Sequence, residues 1–145
     1  MIVRPLEQAD WSAWDALYAG YADFYQVDQT PQMRALVWEW IMDPAHEVDG
    51  LVAADGDTLI GFAHIRPFAR PLAAQTGLFL DDLFVSPAAR GSGAAQTLIE
   101  AVRVRAAADG HGTVRWITAH DNARARKVYD TLAAPIPFTT YDMDV

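Results

Sequence analysis

The chain has 145 residues, no cysteine and a formal charge of −8, from 19 acids against 11 bases. That length fits one domain, residues 1–145, with a sizeable core. The lack of cysteine excludes a disulfide framework, a thiolate metal site and a cysteine acyl-enzyme, and the acidic balance disfavours a nucleic-acid partner. No apolar run approaches the roughly 18 residues of a membrane span. The stretch MIVRPLEQAD lacks the apolar core of a signal peptide, so a cytoplasmic protein with no membrane partner is expected.

In chain order, Ile2 to Arg4 form a short strand closed by Pro5. Asp10 is placed to cap a helix from Trp11 on which Trp14, Tyr18, Tyr21 and Tyr25 recur at helical spacing. Most of that aromatic stripe is expected in the core. Phe24 and Tyr25, at its end, are candidates to line a pocket for an apolar or cationic group. A loop from Gln26 to Pro31 precedes a second helix, Met33 to Met42. Trp38 and Trp40 lie about 200° apart on it, so both cannot face the core. The outward one is free to cover a ligand or a second subunit.

Leu51 to Ala54 and Thr58 to Pro67, joined by Asp55-Gly56-Asp57, predict an antiparallel hairpin. Ile60, Phe62, His64 and Arg66 share one face of its second strand. A loop over 68–77 is expected next, then a buried strand, Phe79 to Val85, stopped by Ser86-Pro87. Arg90-Gly91-Ser92-Gly93-Ala94-Ala95 opens a helix with Ala95, Leu98, Ile99 and Val102 on its apolar face. Thr113 to Thr118 predict a strand, Asn122 to Leu132 a helix with Ala125, Val128, Tyr129 and Leu132 inward, and Phe138 to Val145 a closing strand. Strands alternating with helices, hairpins first, predict a mixed α/β sheet flanked by helices.

A helix start offers unpartnered N–H groups and a dipole that favours negative charge. Gly91, Gly93, Ala94 and Ala95 let a phosphate approach that backbone, and Arg90 adds a full charge. An ordinary strand–turn–helix connection has the same glycines. The spacing Arg90, Gly93, Ala95 resembles the coenzyme-A loop of the GNAT superfamily of N-acetyltransferases, and LDDLFVSP resembles that family's central strand. WITAHDNARARKVYDTL is similar to its C-terminal pattern, with Asn122, Ala125, Val128, Tyr129 and Leu132 in register. The family's usual Gly-Phe is replaced by Ala133-Ala134. The chain most resembles the subgroup of yeast histone and polyamine acetyltransferases and related bacterial small-amine enzymes.

The resemblance implies a GNAT-like, largely antiparallel sheet flanked by about four helices, with a splayed central strand. It implies acetyl-CoA as co-substrate, no metal, a small amine acceptor and a homodimer. The N–H groups around Phe84 and Val85 would hold the thioester carbonyl and pantetheine, and Arg90 to Ala95 the pyrophosphate. Asn122 would bond the pantetheine, and Tyr129 would protonate the thiolate. Arg124, Arg126 and Lys127 either meet the adenosine phosphates or form a solvated face.

Acetyl transfer to an amine requires an uncharged nitrogen, so a base or a desolvating pocket must take its proton. Asp81 and Asp82 are the candidates. Adjacent strand residues point to opposite faces, so one of them is expected to reach the cleft, with Asp81 as base or water relay and Asp82 as amine binder, or the reverse. The histidines His46, His64, His111 and His120 form no metal-ligand spacing, and His120 is a further candidate base. A non-catalytic coenzyme-A sensor and a protein lysine or N-terminal acetyltransferase are the alternative functions.

Overall fold

The computed structural model describes residues Met1–Val145. A five-stranded sheet runs in the order β1-β2-β3-β4-β5, with β1 Ile2–Pro5, β2 Asp49–Asp55, β3 Thr58–Arg70, β4 Gln75–Val85 and β5 Val114–Arg115. All neighbours are antiparallel except β4 and β5, which are parallel. Four helices accompany the sheet: α1 Trp11–Phe24, α2 Pro31–Met42, α3 Ala94–Ala108 and α4 Ala123–Leu132. None is long and apolar enough to cross a membrane.

Strand alternation divides the core in two. Leu51, Ala53, Ala63, Ile65, Leu78 and Leu80 face α3, which buries Leu98, Ile99, Val102 and Ala106 against them. Val52, Phe62 and Phe84 face the other way, onto Trp14 and Tyr18 of α1 and Trp38 and Ile41 of α2. The helix pattern is therefore shifted slightly from the expected one: Ala94, not Ala95, is buried at the start of α3. Trp38 goes into the core, whereas Trp40 stays 36% exposed and stacks on His46, centroids 5.0 Å apart.

Local signals set the helix ends. Thr30 caps α2, its hydroxyl accepting from Met33 N at 3.2 Å, with Pro31 in the first turn. Asp10 precedes α1 but does not cap it. Its carboxylate instead accepts from Arg4 Nη1 at 2.7 Å and from Glu7 N at 2.8 Å, tying the β1 end to the turn before the helix.

Three expected elements are corrected. The 68–77 stretch is not a loop, because β3 and β4 continue to a tight turn at 71–74. Phe68 stacks edge-on to Phe79 at 5.8 Å and fills the space above Gly77, where a Cβ would lie 2.7 Å from its ring. That cross-strand packing extends the hairpin. The strand expected at 113–118 pairs only at Leu78/Val114 and Phe79/Arg115, after which β5 parts from β4. Phe138 to Val145 forms no strand and is exposed throughout.

Gly61 supports the close approach of β3 to β4. A Cβ there would sit 2.6 Å from the Phe84 carbonyl oxygen, which belongs to the backbone and cannot turn aside. Gly61→Ala is expected to cost about 1–3 kcal/mol by overpacking, read as a lower urea midpoint at unchanged slope.

Candidate functional site

The site forms where β3 and β4 fall out of step. His64 pairs with Asp82 but Ile65 pairs with Leu80, so Asp81 is an extra residue in β4, a β-bulge. A bulge re-aims side chains, and here it cancels the usual alternation. Asp82 accepts from His64 Nδ1 at 2.8 Å, and Asp81 accepts from Arg66 Nε at 2.9 Å. His64 and Arg66 stand two apart on the unbulged strand and share a face. The two carboxylates are therefore on the same side of the sheet, the α1 side. The expectation that only one of them would reach it does not hold.

Behind Asp82 lies a buried polar chain. Trp14 Nε1 donates to His64 Nε2 at 2.9 Å. An indole N–H only donates, so Nε2 accepts and the ring proton sits on Nδ1, directed at Asp82. Tyr18 donates to the same carboxylate at 3.2 Å. Trp14 is 0% and His64 2% exposed, so water has no access to this pair. Burial by itself pushes the Asp82 carboxyl up, but the hydrogen bonds from His64 and from the phenols of Tyr21 and Tyr18 outweigh it and hold the group below the ordinary carboxylate range. Asp81 has the opposite balance: desolvation holds it above the ordinary range despite Arg66. Two adjacent carboxyls thus have divergent proton affinities.

Aromatic rings adjoin these carboxyls. Tyr21 lies tilted against Tyr25 with ring centroids 4.9 Å apart, and Tyr25 meets Phe24 edge-on at 5.0 Å. Phe24 and Tyr25 are 53% and 43% exposed, available to a ligand. Burial in the first place, with a contribution from Asp82, raises the Tyr18 and Tyr21 phenols well above their ordinary value. Tyr129 of α4 packs edge-on to Trp116 at 5.5 Å. Burial, and then the nearby Tyr25, push its hydroxyl up to about 12, so it stays protonated throughout the neutral range.

The 90–96 loop joins this group. Arg90 lies over the Phe24 ring at 5.0 Å, connecting the helix opening to the end of α1. Gly91 and Gly93 have φ of +82° and +86°, a left-handed conformation that glycine adopts without strain. The N–H groups of Gly91, Gly93, Ala95 and Gln96 have no partner within the chain, and the Ala94 N–H is only weakly held by Ser92 Oγ at 3.4 Å. No side chain covers Gly91. A row of free N–H donors at a helix start favours an anion. On β4, Ser86 N donates to Ile60 O. Alternation then directs the Phe84 N–H toward β3, and those of Leu83 and Val85 toward the gap left by β5.

Asn122 is used inside the chain: its Oδ1 caps α4 through Ala125 N, and its Nδ2 reaches Thr118 Oγ1, both at 3.4 Å. Arg126 donates to the His120 carbonyl at 2.9 Å. No His, Asp or Glu group is arranged to hold a metal ion. Two surface cavities, of about 400 and 440 Å³, contain neither Asp82, Tyr129 nor the 90–96 loop. Sequence reasoning noted the shared face of His64 and Arg66 but gave neither a role, and it placed Trp14 and Tyr18 in the core without their polar atoms.

A parallel strand pair thus parts along the strand that carries the bulge, and a helix start with free N–H groups follows that strand. The chain belongs to the acetyltransferase (GNAT) family, whose sequence profile matches residues 14–133. It is an acyltransferase with acetyl-CoA as donor. It is 31% identical over 135 residues to the D-amino-acid N-acetyltransferase HPA3 of Saccharomyces cerevisiae, covering 92% of this chain and 84% of that one. It is 28% identical over 130 residues to the uncharacterized N-acetyltransferase YhfO of Bacillus subtilis, covering 90% and 87%. The fold matches AAC(6')-Iy, solved with the bisubstrate analogue CoA-S-monomethyl-acetylneamine, at a TM-score of 0.85 and 20% identity over 99% of this chain and 97% of that one.

The depressed Asp82 carboxyl makes stability pH-dependent. Its folded value lies below the unfolded 3.8, so its contribution is present above that pH and disappears as pH falls through the folded value. In urea titrations from pH 6 to pH 2, Asp82→Asn is expected to lose less stability on acidification than the wild type. Parallel pH curves would contradict the assignment.

Proposed function

We propose that the protein transfers the acetyl group of acetyl-CoA to the primary amine of a small, cationic acceptor by direct attack in a ternary complex. The observation that carries this reading is the pair of carboxylates on one face at the Asp81 bulge, beside exposed aromatic rings. Asp82, depressed and held against His64, is an anion throughout the neutral range and suits an ammonium counter-ion. Asp81, with its raised proton affinity and a side chain 33% exposed, is the better proton acceptor, direct or through a water. Phe24 and Tyr25 supply π faces to the acceptor's apolar or cationic part. The D-amino-acid acceptor in the name of HPA3 is an amine of this size.

The thioester supplies an activated carbonyl and a leaving thiolate. The attacking amine gives up its proton toward Asp81. The N–H groups of Leu83 and Val85, directed into the gap, offer donors to the carbonyl oxygen as charge develops on it. Tyr129 delivers a proton to the departing sulfur; the thiol's ordinary value near 8.5 keeps the product mostly protonated at neutral pH. The free N–H groups of the 90–96 loop, with Arg90, would hold the pyrophosphate. Arg126 of α4, which donates to the His120 carbonyl, would meet a further phosphate of the cofactor. Asn122 keeps a second Nδ2 hydrogen and an Oδ1 lone pair beyond its capping bonds, and these can meet the pantetheine amides.

Steady-state release of free coenzyme A, followed with a thiol reagent across an amine panel, tests the reading. Cationic amines are expected to be turned over in preference to neutral or acidic ones, with Tyr129→Phe and Asp81→Asn each lowering kcat about 10²-fold or more. Preference for neutral or acidic acceptors would overturn the acceptor assignment. Tight acetyl-CoA binding with no turnover on any amine would overturn the catalytic one.

A further inference from the structure

Beyond the layer packed on α1 and α2, the same face of the sheet continues with less cover. Val52, Phe62 and Phe84 lie under those helices, whereas Arg66, Phe68, Phe79 and Arg115 are only half-buried. The register places three of these in one row across the sheet. Arg66 of β3 pairs with Phe79 of β4, and Phe79 pairs with Arg115 of β5. Residues paired across strands share a face. Phe68 stands two residues after Arg66 and so joins them. The row adjoins the carboxyls, because Asp81 is two residues from Phe79 and accepts from Arg66 Nε at 2.9 Å.

Cations and rings interlock there. Phe68 meets Phe79 edge-on at 5.8 Å. The Arg66 guanidinium lies 4.9 Å over the Phe79 ring, and that of Arg115 lies 5.1 Å over the Phe68 ring. A guanidinium laid on a ring face is held in place while its N–H edge stays open to an anion. Both arginines keep such an edge. Arg66 uses only Nε, so its two terminal nitrogens make no hydrogen bond within the chain. Arg115 takes part in none of the chain's ion pairs. In a chain with 19 acids against 11 bases, guanidinium edges without a carboxylate partner leave room for an anion from outside.

The cofactor's phosphates belong at the helix start that follows Val85. Six residues of strand separate Val85 from Phe79, about 20 Å. The row is thereby left to the molecule that reaches Asp81 and Asp82. Ammonium sites at the two carboxyls and an anion site beside Arg66 match the charged groups of an amino acid that carries a second amine.

We propose that Arg66 and Arg115 form a subsite for a carboxylate on the acceptor, so that the preferred acceptor is a diamino acid rather than a plain diamine. The reacting amine stands at Asp81 and the second ammonium at Asp82. The carboxylate meets the open guanidinium edges, and the carbon chain lies against the Phe79 ring. With two ammonium groups and one carboxylate, such an acceptor is still a net cation. The inference rests on the acceptor reading above in placing the amine at the two carboxyls, and it adds residues that act on a different part of the molecule.

Isothermal titration calorimetry into the protein saturated with coenzyme A tests it, at pH 6, where the amines are protonated. The ligands are lysine, lysinamide and cadaverine, which differ only at the carboxyl position. Lysine is expected to bind about 10-fold or more tightly than either of the others, and Arg115→Gln is expected to remove that preference. Equal affinities in the wild type, or an undiminished preference in Arg115→Gln, would overturn the proposal. The wild-type comparison decides the matter even where the variant fails to fold. Coenzyme A release with acetyl-CoA and lysine then separates the two readings: tight, carboxylate-dependent binding without acetylation would overturn the proposed reaction and leave the subsite standing.

Discussion

One residue too many in β4 brings two adjacent carboxyls of this protein to the same side of its sheet. Without the bulge, Asp81 and Asp82 would point to opposite faces, one of them into the apolar layer against α3. With it, Leu80 keeps its place in that layer at 3% exposure, and both carboxyls meet partners on the other side. A single Asp on a regular strand would give one kind of carboxyl. The bulge gives two, separated by environment: one buried against a histidine and phenols, the other nearer solvent against an arginine. Divergent carboxyls at one place are the arrangement from which acid–base division of labour is built.

The buried chain from Trp14 to His64 to Asp82 links that chemistry to the core. A carboxylate and a histidine facing an aromatic layer would be costly without partners, because a buried polar group left unpaired loses its full hydration. Here the indole satisfies Nε2 and the carboxylate satisfies Nδ1. The same bonds that make burial tolerable fix the tautomer, the ring plane and the direction of the carboxylate. α1 therefore does two jobs: its Trp14 and Tyr18 close the core, and Phe24 at its end, with Tyr25 just beyond, remains accessible. Arg90 over Phe24 places the helix-start donors next to that accessible end.

Much of this was legible in the sequence. Period-two alternation gave the β2–β3 hairpin with its Asp55-Gly56 turn, and helical spacing gave α1 to α4 to within a few residues. The glycines at 91 and 93 do adopt the left-handed conformation that a donor-rich turn requires. The bulge was not legible, since an inserted strand residue leaves no mark in composition and alternation is assumed until a register is seen. His64 was visible on a face with Phe62 and Arg66, but its partners Trp14 and Asp82 lie 50 and 18 residues away in the chain. The 68–77 stretch was expected as a loop, and it continues the hairpin with Phe68 packed edge-on to Phe79 across the two strands. The tail has the alternating pattern of a strand yet pairs with no strand of its own chain, so local pattern and observed pairing disagree there.

The central claim is that Asp82, held as an anion by His64, selects a cationic acceptor. The most direct measurement is the ratio of kcat/KM for a diamine to that for its neutral monoamine isostere, in the wild type and in Asp82→Asn. The account predicts a wild-type ratio well above one that falls toward one in the variant, with the neutral acceptor affected less than the diamine. An unchanged ratio, or a wild-type preference for the neutral amine, would contradict it.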